Sequence, residues 1–284
     1  MRKSFTVSVA LIGVALAATP ALAQTDGPAA FDGLYVGGSF GGAAQPNDIG
    51  SSILFDRDRN GSFGDTVITA PTATPPGANA FSPGFCNGRA TSSSPTTGCR
   101  NDKDGIEYAA RIGFDKQFNH MVFGVVGEFG KAEINDSVSA FSTTPAFYTM
   151  TRSLRYNAAV RARVGYVAGD STLFYATGGG AYGRVRNSFT TSNGSNAFTT
   201  NGSKNAYGYS AGGGVEQKLG EHFSIGLEYI YTDLKDNKAR VGVNPGTAGA
   251  TNPFLLAGAG GTDFRRSDER FRWHSARVTA AFRF

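Results

Sequence analysis

The last twelve residues of the chain, from Trp273 to Phe284, alternate between apolar and polar side chains. The apolar positions are Ala276, Val278, Ala280, Phe282 and Phe284. Successive side chains of a β-strand point to opposite faces, so this segment predicts a strand with one apolar and one polar face. Such a strand suits either a soluble β-sandwich or a membrane-spanning β-barrel, and the rest of the sequence distinguishes them.

The N-terminal segment has the three parts of a secretory signal peptide. Arg2 and Lys3 precede an apolar run from Phe5 to Ala18, and an Ala-x-Ala cleavage motif ends at Ala23. The run is too short for a membrane anchor, so we expect residues 1–23 to be cleaved and the rest to be exported. Losing the two basic residues lowers the formal charge from +5 to +3. Residues 24–32 would form a short lead before the first strand.

No later stretch contains the roughly 20 consecutive apolar residues that a membrane-spanning helix needs. An exported chain can still cross a membrane as a closed β-barrel, in which all backbone polar groups are paired between strands. A content of 39 Gly, 22 Phe and 11 Tyr agrees with an all-β protein. The length left after cleavage allows one all-β domain.

Eight segments combine strand-forming composition with a period of two. They cover residues 33–43, 105–118, 121–134, 152–167, 172–187, 205–219, 223–234 and 269–284. Short turns near residues 119, 169 and 220 alternate with long polar connections at 44–104, 135–151, 188–204 and 235–268. This alternation of short and long connections predicts an eight-stranded antiparallel up-and-down transmembrane β-barrel over residues 33–284, with short periplasmic turns and long extracellular loops.

The charged residues of these segments fall on one face of each strand. If Tyr108 and Ile112 face lipid, for example, Glu107 and Arg111 point inward. A soluble sandwich would bury the apolar face, whereas a membrane barrel exposes it to lipid. The outward aromatic residues also form two bands, as two membrane interfaces require. One band, which includes Tyr175, lies near the short turns, and the other lies near the long loops.

Together these features resemble the small outer-membrane β-barrels of the OmpA/OmpX-like, opacity-protein superfamily. The resemblance covers the chain from about residue 31 onward. It rests on the signal peptide, the Gly-Leu-Tyr-Val-Gly-Gly run from Gly33 to Gly38, Gly165-Tyr166, the run from Tyr175 to Gly179, and the terminal Phe284. The first loop of about sixty residues is longer than in the shortest members, and we expect no peptidoglycan-binding domain after the barrel.

The resemblance implies a location and partners. The location is the outer membrane of a Gram-negative bacterium, in contact with outer-membrane lipid and lipopolysaccharide. The barrel-assembly machinery would recognise the C-terminal strand, with Phe284 as the assembly signal. We expect a monomer that needs no cofactor and does not bind nucleic acid, since the sequence contains no basic helix.

An eight-stranded barrel is just wide enough to be filled by its own side chains. We interpret six inward-facing residues as a charge network that plugs the lumen: Arg111, Glu128, Arg161, Arg163, Glu228 and Arg277. We expect Arg111 to meet Glu128, and Glu228 to meet Arg277, on neighbouring strands. A plugged barrel would have a structural or surface-interaction role, such as envelope integrity, adhesion or display of an immunogenic surface. The alternative is a narrow porin-like channel for small solutes.

The long loops, rich in Ser, Thr, Gly and Asn, favour surface contacts over transport. The first of them contains both cysteines, Cys86 and Cys99. In an exported protein a disulfide between them is expected rather than two free thiols.

The same loop contains the beginning of an EF-hand-like calcium motif. Asp56, Asp58 and Asn60 occupy positions 1, 3 and 5 of the motif, and Gly61 occupies position 6. Position 12, which should be Glu, is Val67. The sequence therefore favours a turn rich in Asp and Gly over a calcium site.

Basic residues accumulate where the predicted strands meet the long loops. By alternation Lys131, Arg152, Arg270 and Arg272 point outward at that level. The outer leaflet carries lipopolysaccharide phosphates, which such residues bind well, so they predict a lipopolysaccharide-facing rim. Ordinary snorkelling of basic side chains at the interface is the alternative, and it gives the same placement.

The histidines do not suggest a hydrolase. His120 and His222 fall in periplasmic turns, and His274 adjoins Ser275, whose side chain must point to the opposite face of the strand. A nucleophile and its base need to be within hydrogen-bond reach. We therefore predict that the chain is not an enzyme.

Overall fold

The computed structural model describes residues 30–46, 50–258 and 260–284. The predicted signal peptide and most of the predicted lead lie outside these residues. In chain order the described strands are β1 Gly33–Ala44, β2 Ile53–Asp56, β3 Gly84–Asn87, β4 Arg89–Ala90, β5 Cys99–Arg100, β6 Gly105–Phe118, β7 Met121–Ala132, β8 Asn135–Ser142, β9 Ala146–Ala168, β10 Thr172–Thr191, β11 Ala197–Thr200, β12 Lys204–Leu219, β13 Phe223–Lys235, β14 Val241–Asn244, β15 Thr262–Arg266 and β16 Arg270–Arg283. Two short 3-10 helices span Pro95–Thr97 and Pro253–Leu255. Neither described helix is long and apolar enough to cross a membrane.

Eight of the strands close into an antiparallel barrel in the order β1-β6-β7-β9-β10-β12-β13-β16. The last strand pairs back onto the first, with Phe282 opposite Val36 and Arg277 opposite Gly41. The predicted eight-stranded up-and-down fold is confirmed. The three short turns are also where the sequence places them, and Asn119, Gly169 and Gly220 adopt the positive φ that such turns require.

The outer wall of the barrel is apolar. Ile112, Phe129 and Val160 are all more than half exposed, as side chains that face lipid should be. The exposed aromatic residues form the two predicted bands: Phe114, Phe118, Phe123, Tyr166, Phe174, Phe223, Phe282 and Phe284 on the periplasmic side, and Tyr108, Phe129, Tyr156, Tyr207, Tyr209 and Tyr229 on the extracellular side.

Tyr175 is an exception, because it faces the lumen and its neighbour Phe174 faces lipid. Alternation alone cannot decide which of two adjacent aromatic residues points outward. Inside the barrel the Tyr175 ring packs 4.0 Å beneath the Arg163 guanidinium, which fixes its orientation.

A β-bulge in β9 overturns the prediction for Arg152. The register of β9 against β10 shifts where Arg184 pairs with Tyr156 and Val185 pairs with Leu154, so Arg155 has no partner. The extra residue reverses the alternation on its N-terminal side. Arg152, predicted to face outward, therefore points inward and is buried, as is Leu154, while Arg155 is exposed.

The strands β9 and β10 continue beyond the membrane. The sequence predicts that β9 begins at residue 152, but it begins at Ala146 and is 23 residues long. Its extension pairs with β8 on one side and with the extended end of β10 on the other, as far as Tyr148 opposite Thr191. Strand β3 from the first loop adds to the edge of β8.

The four long loops fold into one packed body, which we call the cap. Besides the extended sheet, the cap contains a four-stranded sheet in the order β11-β14-β15-β2, whose strands come from the first, third and fourth loops. A hydrophobic core lies within the cap, formed mainly by Ile53, Phe55, Val67, Phe81, Val138, Tyr148, Met150, Val241, Val243, Phe254 and Phe264. The sequence predicts only long polar loops here.

Candidate functional site

The six predicted network residues all lie inside the barrel and are buried. Arg277 is at the centre of an upper cluster. Its guanidinium donates hydrogen bonds to Glu128 at 2.8 Å, to Glu228 at 2.8 Å and to Glu107 at 3.2 Å. The predicted contact between Glu228 and Arg277 is confirmed. The carboxylate of Glu107, which also accepts a hydrogen bond from Ser275, belongs to this cluster although the predicted network omitted it.

The predicted pair of Arg111 and Glu128 is rearranged. These residues are directly opposite each other on β6 and β7, but the Arg111 guanidinium reaches across the lumen to Glu228, 3.3 Å away. Glu128 instead binds Arg161 at 3.0 Å and Arg277. In so narrow a lumen a long arginine side chain can reach any wall, so strand adjacency does not decide its partner. The upper cluster contains three arginines and three glutamates and is electrically balanced.

A lower cluster lies nearer the periplasm. Arg163 binds Glu216 and, at 3.3 Å, Asp115, while Arg283 binds Asp115 at 2.9 Å and Glu216 at 2.8 Å. Two cations and two anions again balance. The Tyr175 hydroxyl donates to Glu228 at 3.0 Å, which links the lower cluster to the upper one. Glu216 and Arg283 were absent from the predicted network, although their inward parity could have identified them.

Apolar layers lie above and below these clusters. On the extracellular side the layer is formed by Ala43, Ala132, Ile134, Leu154, Ala159, Ala181, Val185, Ala206, Leu234, Phe271 and Trp273. On the periplasmic side Phe31 packs with Val122, Val167, Leu173 and Tyr175. Phe31 precedes β1 and folds back into the lumen, where Arg283 stacks over its ring at 4.9 Å.

A third charged cluster lies between the barrel and the cap. Arg152 binds Asp136 at 2.5 Å and Asp268 at 2.9 Å, and Arg266 binds Asp136 at 2.6 Å. Burial by itself would raise the pKa of the Asp136 carboxyl, but the two guanidinium groups outweigh it and lower that pKa below its ordinary value. Asp136 is therefore ionised at neutral pH and holds two arginines together beneath the cap.

The other three predicted rim residues lie on the outer side of the barrel. Arg270 forms two hydrogen bonds of 2.8 Å to Asp233, and Arg272 lies 3.6 Å from the same carboxylate. Lys131 lies 3.6 Å from Glu133. All three side chains remain between one third and two fifths exposed, so they can also contact a lipid headgroup.

Cys86 and Cys99 form the predicted disulfide, with their Cα atoms 6.2 Å apart. The bond joins β3, at the edge of the extended sheet, to the small β4–β5 hairpin. It therefore closes the part of the first loop that packs against β8.

The calcium-motif residues form a tight turn. Asp56 accepts hydrogen bonds from the backbone amides of Asn60 at 3.0 Å and Gly61 at 2.8 Å, and Asp58 accepts one from Asn60 at 3.3 Å. Asp65 lies close to both aspartates and accepts from the Arg57 amide. Each carboxylate already caps a backbone N–H, as in an ordinary turn rich in Asp and Gly.

The three histidines lie where the sequence predicts, two in periplasmic turns and one on the last strand. His274 contacts the Tyr229 hydroxyl at 2.5 Å on the outer face, whereas Ser275 points inward to Glu107. His120 stacks on Tyr166 at the periplasmic end, and His222 contacts the backbone carbonyl of Arg283. The prediction that His274 and Ser275 face opposite sides is confirmed.

Comparison with known proteins finds relatives that are named as outer-membrane proteins. No family model matches the chain. The chain is 30% identical over 131 residues to the 31 kDa outer-membrane immunogenic protein of Brucella melitensis, a match that covers 46% of this chain and 54% of that protein. It is 32% identical over 123 residues to a 22 kDa outer membrane protein of Rhizobium leguminosarum, covering 43% of this chain and 50% of that protein. This chain is an outer-membrane β-barrel protein.

The sequence matches cover only part of each protein. The chain spans about half the length of the curated relatives it matches. Among solved structures, OprG of Pseudomonas aeruginosa is similar over 89% of this chain and 97% of its own, with 11% identity and a TM-score of 0.46. The closed strand pairing described above identifies the fold.

Proposed function

We propose that this protein is a closed barrel with a structural and surface-interaction role, in which the filled lumen anchors the cap at the cell surface. The observation that carries the proposal is the succession of layers along the lumen. An apolar layer around Phe31, two balanced charge clusters and an apolar layer around Trp273 follow one another from the periplasmic end to the cap. An eight-stranded barrel filled in this way leaves little room for continuous water.

The cap supplies the surface part of the role. Its sheets bury a shared aromatic core, so the loops present a fixed surface to the outside of the cell. The Brucella relative is named an immunogenic protein. A folded cap of this kind would be the part of the present chain that meets antibodies, host surfaces or neighbouring envelope components.

Two partners belong to this proposal. Lys131, Arg270 and Arg272, together with the bulge residue Arg155, would contact lipopolysaccharide phosphates just above the extracellular aromatic band. The barrel-assembly machinery would recognise β16, whose final residue Phe284 is exposed to lipid. A monomer suffices for both contacts.

Single-channel recording in planar bilayers tests the closed lumen. We expect no steady conductance from the refolded protein. Glu128→Ala and Glu228→Ala remove one carboxylate each from the upper cluster, and Tyr229→Ala, which changes a lipid-facing residue, is the matched control. Stable openings of the unmodified protein would show instead that it is a small-solute channel, and openings in the two lumen variants alone would make the upper cluster a gate.

A further inference from the structure

One face of the barrel has several arginines without a counter-charge at its extracellular end. Arg184 and Arg186 are at outward positions of β10, and Arg155 projects beside them from the bulge in β9, next to the residue that pairs with Arg184. Arg155 and Arg186 are exposed and form no hydrogen bond or ion pair within the described residues. Arg184 donates a hydrogen bond of 2.5 Å to Asn205 of β12, which is a neutral partner. The positive charge of all three side chains is therefore left without a carboxylate.

The strands of this face cannot neutralise the arginines themselves. In the described strands β9, β10 and β12 the single acidic residue is Glu216, which points into the lumen and binds Arg163 and Arg283 there. The rim residues Arg270 and Lys131, in contrast, have acidic partners on the protein. Like charges on neighbouring strands destabilise a sheet. An anion from outside the protein would relieve this repulsion and so be bound favourably.

An aromatic cluster lies directly below the arginines. Tyr182 is on the same face of β10 as Arg184, one outward position closer to the periplasm, and its ring centroid lies 6.2 Å from that of Tyr156 and 5.3 Å from that of Tyr207. Such aromatic belts mark the boundary between the headgroups and the hydrocarbon of a membrane. The arginines above this belt are therefore at the level of the lipid headgroups.

A groove in the outer wall continues from the tyrosines toward the periplasm. The next outward residues of β10 are Gly180, Gly178 and Ala176. A groove of about 410 Å³ lies over the last two, and Phe123 and Val164 also line it. A side chain at Gly180 would meet no protein atom within 4 Å, and one at Gly178 would meet none closer than 3.8 Å. Packing within the protein therefore does not require glycine at these positions, although glycine weakens a strand.

The distance from the arginines to the end of the groove matches one leaflet of a bilayer. From Arg184 to Ala176 the strand extends about 26 Å, at about 3.3 Å per residue. With the tilt of about 40° that such barrels have, this length corresponds to a depth of about 20 Å. Half of a bilayer, including its headgroups, is about 20–22 Å thick. The headgroup and one acyl chain of a single outer-leaflet lipid would therefore fit along β10.

An anionic lipid suits this face better than a second copy of the chain does. A two-fold dimer brings the same surface patch of both subunits together. Arg155, Arg184 and Arg186 would then face their own copies at the same level of the membrane, and like charges would meet. A lipid phosphate brings the opposite charge, and arginine binds phosphate through paired, charge-assisted hydrogen bonds.

We propose that the outer face of β9, β10 and β12 is a binding site for one molecule of lipopolysaccharide, held by its lipid A part. Arg155, Arg184 and Arg186 would bind a lipid A phosphate, and one acyl chain would occupy the groove over Gly180 and Gly178. This assignment deepens, and rests on, the proposed contact between the rim and lipopolysaccharide. It differs from that contact because this one face retains a single molecule, whereas the rim residues already paired with carboxylates touch lipid that exchanges freely.

Native mass spectrometry of the refolded barrel in detergent, titrated with bis-phosphorylated lipid A, tests the site. We expect one molecule of lipid A to be retained per barrel. Phosphatidylcholine and phosphatidylglycerol should be retained much more weakly, because the first has no net charge and the second has a single negative charge, whereas a phosphate monoester carries up to about two.

Two arginine variants test the headgroup contact. Arg155→Gln combined with Arg186→Gln should raise the Kd for lipid A at least about tenfold, because charge-assisted hydrogen bonds to the phosphate are lost. Arg89→Gln combined with Arg100→Gln is the matched control. It removes two exposed arginines that are opposite each other in the β4–β5 hairpin of the cap, and it should leave the Kd unchanged.

Two glycine variants test the acyl-chain groove. Gly178→Leu should fill the groove and raise the Kd at least about tenfold, because the acyl chain loses buried apolar contact. Gly42→Leu makes the same change at an open, outward position of β1 and should leave the Kd unchanged. The gel shift of unheated protein shows whether each variant has folded.

The proposal would be overturned if the unmodified protein retained no lipid A, or if the double arginine variant or folded Gly178→Leu retained it equally well. Equal retention of phosphatidylglycerol would also overturn it, by showing a surface for any anionic lipid, as would a dimer that Gly178→Leu abolishes. Retention of lipid A by the double arginine variant refutes this site and leaves the general rim contact standing. Conductance with intact lipid A binding refutes only the closed lumen.

Discussion

Glu128→Gln is the sharpest test of the charge clusters, because one carboxylate there serves two buried arginines. Glu128 accepts hydrogen bonds of 2.8 and 2.8 Å from Arg277 and 3.0 Å from Arg161. The amide keeps the size of the side chain but leaves three arginines facing two carboxylates in a buried lumen. Removing one partner of a buried ion pair typically costs about 3–5 kcal/mol. We expect the free energy of unfolding to fall by that amount.

The single tryptophan provides the assay. Trp273 is buried in the apolar layer directly above the upper cluster, and its indole N–H donates to Glu107 at 3.3 Å. Its fluorescence during urea unfolding in lipid vesicles reports on the lumen itself. Glu133→Gln is the matched control, since this exposed carboxylate lies 3.6 Å from Lys131 and should contribute no more than about 1 kcal/mol.

A second variant separates charge balance from packing. The double change Glu128→Gln with Arg161→Gln restores equal numbers of cations and anions in the upper cluster. We expect it to be at least as stable as the Glu128→Gln single variant, with a coupling energy of about 2 kcal/mol in the double-mutant cycle. If the two changes are simply additive, or if Glu128→Gln costs less than about 1 kcal/mol, the clusters are not held together by their charges.

Three further predictions concern the cap and the assembly of the barrel. Replacing Cys86 and Cys99 by Ser should destabilise the cap by roughly 3 kcal/mol while the barrel stays folded. Limited proteolysis of the variant, and of the unmodified protein with and without reductant, measures the loss of cap stability. Burial, and then the charge of Asp136, raises the pKa of Asp102 to about 6. Ionisation of this carboxyl therefore lowers the stability of the cap, an effect that is absent below about pH 4 and complete above about pH 6. Asp102→Asn, which can still accept the Ser137 amide hydrogen bond, should raise cap stability at pH 7.5 by about 1 kcal/mol after allowance for its partial exposure, and change nothing at pH 4; equal effects at both values would refute this assignment. Deleting Phe284 should reduce the folded fraction in the outer membrane several-fold, measured by the gel shift of unheated barrel, whereas Phe284→Tyr should retain it.

The barrel was predictable because its strands repeat one simple rule many times. Each lipid-facing strand alternates over ten or more residues, and charged residues such as Arg111 and Glu128 fix which face is inside. The rule fails where one extra residue in a strand shifts the alternation of side chains between the two faces. The bulge at Arg155 reverses the face of Arg152, and no residue type near it predicts a bulge from the sequence. Where two aromatic residues are adjacent, as at Phe174 and Tyr175, the alternation does not decide which of them faces lipid and which faces the lumen.

The cap was not predictable by the same reasoning. Strands β2, β11, β14 and β15 have only four or five residues, too few for a period of two to stand out in loops rich in Gly, Ser and Asn. Their partners are also distant in the sequence: Ile53 of β2 pairs with Arg266 of β15. The apolar residues of the cap core occur in short groups of one to three along four loops, and only the closed barrel brings those loops together.

The same barrel geometry explains how the cap is held in place. Strands β9 and β10 run without interruption from the periplasmic turn into the cap, so the register that closes the barrel also sets the position of the extended sheet. The second sheet is attached to it through Arg266, which donates to the backbone carbonyls of Asp136 and Met150, both at 3.1 Å, as well as to the Asp136 carboxylate. Arg152, which the bulge turns inward, donates hydrogen bonds to the carboxylates of both Asp136 and Asp268. The bulge is therefore what allows a residue of a membrane strand to join the two sheets of the cap to the barrel.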